Sequence, residues 1–403
     1  MDTRAENLTN DQGIKARTSR FVGAALAAVL LIGAIGYGGP SGAAAKDRRV
    51  DLEEPTFSDP TSITNPLFSR NTVSQIIQLG SEGKDQLRFE ITYLPDTKFI
   101  RWNGQRVETR VTHFVAYMNG RILEVAVDFY AQADDGSVWY FGENVDNYEN
   151  GVIVDHEGTW LAGRDGPPGM IMPADPKVGG VYRPENIPGL VFEEVTVKRT
   201  GVTVNGPRGP VSGAVFVQER LMDGTVEDKI FAPGYGEFKA RVASLAELYK
   251  LAVAVPIDAL GGSVPQDLVT IDEVASQVFD VAPTKRWNQL SVKAERMAAA
   301  WNTYRAGGVP KLLDAQMTDA LGVLGAAVSA HDVAEIRQAA IDVGRAALDL
   351  QLQFRAPGSV DRYRLRLWRD QLAIDKAASD SDAVAGDVAT LEAIHDRING
   401  VSN

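Results

Sequence analysis

Hydrophobic and polar positions change their period near residue 245, and the change divides the chain. From about Val73 to Phe238, short β-branched and aromatic runs alternate with polar residues, punctuated by the pairs Asn119-Gly120, Asp135-Gly136 and Asp223-Gly224. Period-two alternation marks strands with one buried face, and Asn-Gly or Asp-Gly between two such runs predicts a hairpin. After residue 245 apolar residues recur at spacings of three and four. Trp287, Leu290, Ala294, Met297, Trp301 and Tyr304 form one such series; Val333, Ile336, Ala340, Val343, Ala347, Leu350 and Phe354 form another. These are the packing stripes of a helical bundle. Gly307-Gly308 closes one helix, Pro310 suits the first turn of the next, and Asp332 with Glu335 resembles a capping box for the third. Two further helices are predicted over residues 359–378 and 381–398.

The fold class predicted is therefore α+β, a curved, half-barrel-like antiparallel β domain followed by an up-and-down helical bundle. The β domain is assigned to residues 71–245, interrupted by a Gly/Pro-rich crossing at 163–188; residues 246–282 link it to the bundle at 283–403. Residues 46–70, rich in Pro, Ser, Thr and Asn, read as an extended linker or covering segment.

Residues 1–45 have the order of a signal peptide or N-terminal anchor. Lys15, Arg17 and Arg20 precede an uncharged run from Phe21 to Tyr37, and the small residues Ala43, Ala44 and Ala45 follow. The run is about 17 residues, roughly 26 Å as a helix against a bilayer core of about 30 Å, so cleavage and retention both stay open. An Ala-x-Ala site ending at Ala45 favours cleavage. The expected location is extracytoplasmic, with membrane contact only through this segment.

Composition removes several function classes. The absence of cysteine excludes disulfides, thiol nucleophiles and cysteine-ligated metals. Against 53 acidic residues stand 41 basic ones, a net charge of −12 that repels phosphate backbones, so nucleic acid is excluded as a partner. The chain lacks a phosphate-binding glycine loop, a dinucleotide fingerprint, a calcium-loop spacing and a Gly-x-Ser-x-Gly elbow. His395 continues the apolar series Val384, Val388, Leu391 and Ile398, and neither it nor His331 has a second histidine at helical spacing. The arginines from Arg362 to Arg369 share a helix with a Leu365, Trp368, Leu372 stripe and read as a solvated or salt-bridged face.

Three stretches, Phe129-Tyr130-Ala131-Gln132, Val138-Trp139-Tyr140-Phe141-Gly142-Glu143 and Ala232-Pro233-Gly234-Tyr235-Gly236, resemble a family of uncharacterised bacterial extracytoplasmic proteins. Leu350-Gln351-Leu352-Gln353-Phe354-Arg355 and Gly386-Asp387-Val388-Ala389-Thr390-Leu391-Glu392 resemble segments of related envelope proteins. The resemblance implies the compartment and the domain order, and it carries no activity, cofactor or site residue.

Candidate chemistry comes from hairpin register. If Asp135-Gly136 is a two-residue turn, Asp128 faces Glu143, Tyr130 faces Phe141 and Gln132 faces Trp139. If Asn119-Gly120 is another, His113 faces Ala126 and lies diagonal to Glu124 and Asp128. A single wall would then carry His113, Tyr117, Glu124, Asp128, Tyr130, Gln132, Trp139, Phe141 and Glu143. Opposed carboxylates need a shared proton or a cation: charged His113, one of Arg101, Arg106 and Arg110, or a hard metal ion. Carboxylates scattered on an aromatic wall have the composition of a small-molecule pocket. A one-residue bulge in either hairpin would turn one strand's side chains to the other face.

The expected function is an extracytoplasmic binding or interaction protein holding an apolar or weakly polar, lipid-like small molecule, with the bundle available to an envelope protein partner. One alternative is a carboxylate- or metal-dependent hydrolase using Asp128, Glu143 and His113; another is a structural envelope scaffold. The plain alternative for the site is surface carboxylates paired with arginines, their neighbouring rings covered by residues 46–70. Catalytic residues and cofactor are not assigned, and no metal ligand set stands out.

Overall fold

The computed structural model describes residues 48–242 and 248–400. The hydrophobic segment at residues 21–37 lies outside the described residues. Strands β1 (Gln75–Glu82), β2 (Asp85–Trp102), β3 (Gln105–Met118), β4 (Arg121–Gln132), β5 (Val138–Glu149) and β6 (Val152–Asp155) follow one another as a meander. Short strands β7 (Trp160–Leu161), β8 (Gly169–Met172), β9 (Val181–Tyr182) and β10 (Asn186–Ile187) occupy the crossing. The long strands resume with β11 (Val191–Gly206), β12 (Gly209–Leu221), β13 (Val226–Ala232), β14 (Gly236–Val242) and β15 (Tyr249–Val255). Among the described residues these make one 15-stranded sheet in the order β10-β11-β12-β13-β14-β15-β1-β2-β3-β4-β5-β6, with β7 and β8 on β5 and β9 on β11.

The sheet is antiparallel, curved and unclosed, and the fold is α+β as the periodicities predict. Register shifts within the β2–β3, β3–β4, β4–β5 and β11–β12 pairs bend it, since each bulge adds local twist. The two ends approach across the interior, where Trp160 of β7 donates from Nε1 to Glu185 Oε1 at 2.7 Å.

Among the described residues six α-helices follow: α1 (Gln266–Val281), α2 (Trp287–Arg305), α3 (Lys311–Ala330), α4 (Val333–Gln351), α5 (Pro357–Ala378) and α6 (Ser381–Asn399). Strand β15 and helix α1 both fall in the stretch between the two patterned regions. The Asp332 side chain caps α4 by accepting from Ala334 N and Glu335 N. The helices cover the outer face of the sheet. Ile77, Ala252, Val253 and Val255 share a core with α1 to α4, while Val115 and Tyr117 meet Leu365, Trp368, Ala393 and Ile394 of α5 and α6. No described helix is long and apolar enough to cross a membrane.

The segment preceding β1 lies across the β4–β5 turn. Thr64 N and Asn65 N donate to Gln132 Oε1 at 2.7 and 2.9 Å, and Ile63, Leu67 and Phe68 are buried in the core beneath. Asp134 accepts from Ser58 N and Thr56 Oγ1.

Candidate functional site

The wall proposed from hairpin register divides between the two faces of the sheet. At β3–β4 the turn has two residues, Asn119 and Gly120 both at positive φ, but a bulge between Ala116 and Tyr117 shifts the register beyond it. His113 therefore pairs with Val127 instead of Ala126 and points to the helices. It is fully buried, neither ring nitrogen has a hydrogen-bond partner among the described residues, and its pKa is pushed down to about 3, first by burial and then by Arg397. It is a neutral core histidine, separated by the sheet from the interior carboxylates. Tyr117 shares that outer face, stacked on Trp368 with ring centroids 6.0 Å apart.

At β4–β5 the loop is longer by one residue than expected. Ala133 N donates to Ser137 O, leaving Asp134, Asp135 and Gly136 as the loop, with Gly136 at φ 91°. Tyr130 consequently faces Tyr140 and not Phe141, and Gln132 faces Val138 and not Trp139. A compensating bulge at Phe141 and Gly142 restores the expected pair Asp128 and Glu143. Gly142 makes this possible: its φ is 116°, and a Cβ there would lie 2.2 Å from Trp160 O. The three displaced side chains have structural partners. Gln132 holds the N-terminal segment, Trp139 donates from Nε1 to Ser137 Oγ at 2.8 Å, and Phe141 packs edge-on to Phe57 and Trp102.

The curved interior brings together Glu124, Asp128, Tyr130 and Glu143 of the proposed set, all buried. Tyr140 joins them, its ring stacked 4.7 Å from that of Tyr130 and its hydroxyl 3.4 Å from Asp128 Oδ1. The opposing half of the sheet contributes Glu193 from β11, Glu219 from β12 and Glu227 with Lys229 from β13, all buried, with half-buried Glu237 from β14. Lys229 Nζ contacts Glu219 and lies 3.5 Å from Glu227 Oε2. A cavity of about 60 Å³, room for a few water molecules, is lined by Asp128, Glu193, Glu219, Lys229 and Glu237 and by the rings of Phe89, Tyr93, Phe114, Tyr130, Tyr182 and Tyr249. Arg70 borders it, with its guanidinium carbon 4.2, 4.1 and 4.9 Å from the ring centres of Phe68, Tyr93 and Tyr130.

Protons relieve the repulsion among these acids, because low-dielectric surroundings disfavour the charged form. Burial pushes Asp128 up to about 7, opposed by Arg70 and by hydrogen bonds from Tyr140 and Tyr130. Glu124 rises to about 8 through burial and the charge of Asp128. Glu143 is held well above the ordinary carboxyl range by burial first and by Glu185 second, and Glu185 rises to about 8. Burial raises Glu193 strongly and Glu227 to about 7, with Glu219 adding to both. For Lys229 burial pulls the other way, but Glu219, Glu237 and Glu227 outweigh it and keep the ammonium charged. Among the described residues no group of three or more histidine, aspartate or glutamate side chains is placed to hold a metal ion.

Hairpin reasoning missed the acids of β11 to β14, although the period carried the signal. Glu193 lies in phase with Val191, Val195 and Val197, and Glu219 with Val215, Val217 and Leu221, so each is a lone acid on a buried face. No protein-family model, curated protein or solved structure matches the chain.

Proposed function

We propose that this is an extracytoplasmic binding protein whose half-barrel interior takes up a small ligand carrying both apolar and hydrogen-bonding groups. The observation behind this reading is the aromatic cavity with interior carboxyls and one lysine, in which the rings supply contact area and the polar groups fix orientation. The polarity of the wall moves the reading from a lipid-like molecule toward a compact polar one. The N-terminal hydrophobic segment supports the compartment.

Native mass spectrometry of the mature protein from its own host tests this. A small molecule retained by the wild-type chain and about ten-fold less by Tyr93→Ala, with unchanged far-ultraviolet circular dichroism, supports the reading; ten-fold corresponds to about 1.4 kcal/mol. A wild-type protein that carries nothing and gains no thermal stability from a small-molecule panel overturns it.

Acid–base hydrolysis is a second reading, favoured by one observation: Asp128, at about 7, stands cross-strand from Glu143, which holds its proton. In this reading His113 takes no part. Hydrolysis of a glycoside or ester panel that disappears in Asp128→Asn and Glu143→Gln supports it, and its absence between pH 4 and 8 removes it.

A further inference from the structure

The interior is an unusual place for so many acids. Asp128, Glu143, Glu185, Glu193, Glu219 and Glu227 are all buried, and Glu237 is half-buried beside them. Of the cations lining the cavity, Lys229 is already engaged by Glu219 and Glu227, and Arg70 lies over aromatic rings. Glu193 is distinct among the cavity-lining acids: it is 4% exposed, and among the described residues it makes no side-chain hydrogen bond and no ion pair. A buried carboxyl without a partner costs free energy that a ligand can recover.

The wall already displays the chemistry that would satisfy it. Arg70 lays its guanidinium over three aromatic rings, so the ring faces attract positive charge. Beyond Arg70 the cavity lining includes further rings, Tyr182 and Tyr249, together with Glu193 and Glu237, and the Tyr249 hydroxyl donates to Glu237 Oε1. We infer that the cavity receives a small organic cation, an ammonium group on a short apolar body, whose charge meets Glu193 and Glu237 and whose carbon atoms meet the tyrosine rings. This rests on the binding reading above and narrows it to a ligand class. The size is consistent, because about 60 Å³ admits a group of a few heavy atoms.

Isothermal titration of the full mature chain with three probes of one shape, n-propylammonium chloride, n-propanol and sodium propionate, tests the charge directly. Repeating each at pH 6.5 in buffers of different ionisation enthalpy counts protons. The expected result is propylammonium binding at least ten-fold tighter than propanol, no detectable propionate binding, and release of up to about one proton per ligand as a cavity carboxyl ionises. Glu193→Gln is expected to lose about ten-fold in propylammonium affinity while keeping or raising the melting temperature, since it removes an acid beside Glu219. Propanol or propionate binding as tightly as propylammonium overturns the cation assignment and leaves the binding reading standing. Failure of all three probes also overturns it, and the host-derived ligand seen by mass spectrometry then decides the broader reading separately.

Discussion

Gly142 decides which side chains the interior receives. Its positive φ accommodates the extra residue of β5, so that Glu143 returns to face Asp128 after Tyr140 has replaced Phe141 opposite Tyr130. Any Cβ at this position meets both an unfavourable backbone conformation and Trp160 O at 2.2 Å. Gly142→Ala is expected to destabilise the fold by roughly 2–4 kcal/mol, combining backbone strain with displacement of β7. Urea unfolding followed by tryptophan fluorescence measures this, and a midpoint equal to that of the wild type would show that the bulge is not a rigid feature. Pairing rules made Asp128 and Glu143 legible, whereas the glycine gave no sign of its role. A glycine inside a strand signals a bulge or a close backbone approach, and the sequence does not say which neighbour approaches or which side chain changes face.

Elements were read more successfully than registers. The strand and helix periods placed the sheet before the helices, and α5 and α6 fall within two residues of the spans predicted from apolar spacing. The union of sheet and helices was not legible, because it depends on charges in phase with apolar residues. The Arg397 side chain of α6 is fully buried; it donates from Nη1 to Glu90 Oε2 of β2 at 2.6 Å and from Nη2 to Asp361 Oδ1 of α5 at 2.9 Å. Arg88 of β2 reaches Asp349 of α4 through both terminal nitrogens, at 2.6 and 2.8 Å, and Arg364 of α5 reaches the same carboxylate at 3.0 Å. The arginine series read as a solvated or salt-bridged face thus contributes Arg364, salt-bridged but buried, to a network at the sheet–helix junction. Such a network fixes one docking geometry, and removing one partner leaves a buried charge uncompensated. Arg397→Ala is expected to cost about 3–5 kcal/mol. The double variant with Glu90→Gln should recover part of that loss, which equilibrium unfolding of the four members of the cycle measures; strict additivity would indicate that the two side chains are not coupled.

At the scale of the whole molecule, the buried acids of the interior and the arginine-bound acids Glu90 and Asp349 of the sheet–helix junction titrate in opposite senses. On the interior, Asp128 and Glu227 at about 7 and Glu124 and Glu185 at about 8 hold protons that the unfolded chain releases near pH 4. A folded-state pKa raised in this way gives stability that is fully present below about pH 4 and is lost as pH rises through 7 and 8. On the helix side, arginines hold Glu90 well below its ordinary range and lower Asp349, in both cases against the opposing effect of burial. That contribution is present above about pH 4 and is lost as pH falls below it. The two together place maximal stability on the mildly acidic side, at about pH 5, with a decline toward pH 8.5 that carboxylate-driven acid unfolding alone does not produce. Urea midpoints from pH 3.5 to 9 measure the profile. Glu193→Gln, which removes an acid that burial and Glu219 already disfavour, should flatten the alkaline side and leave the acidic side unchanged. A midpoint that rises steadily from pH 5 to 8.5 would mean that the interior acids are ionised and solvated in the folded chain, and the cavity would then have to be wet and open instead of enclosed by the curve of the sheet.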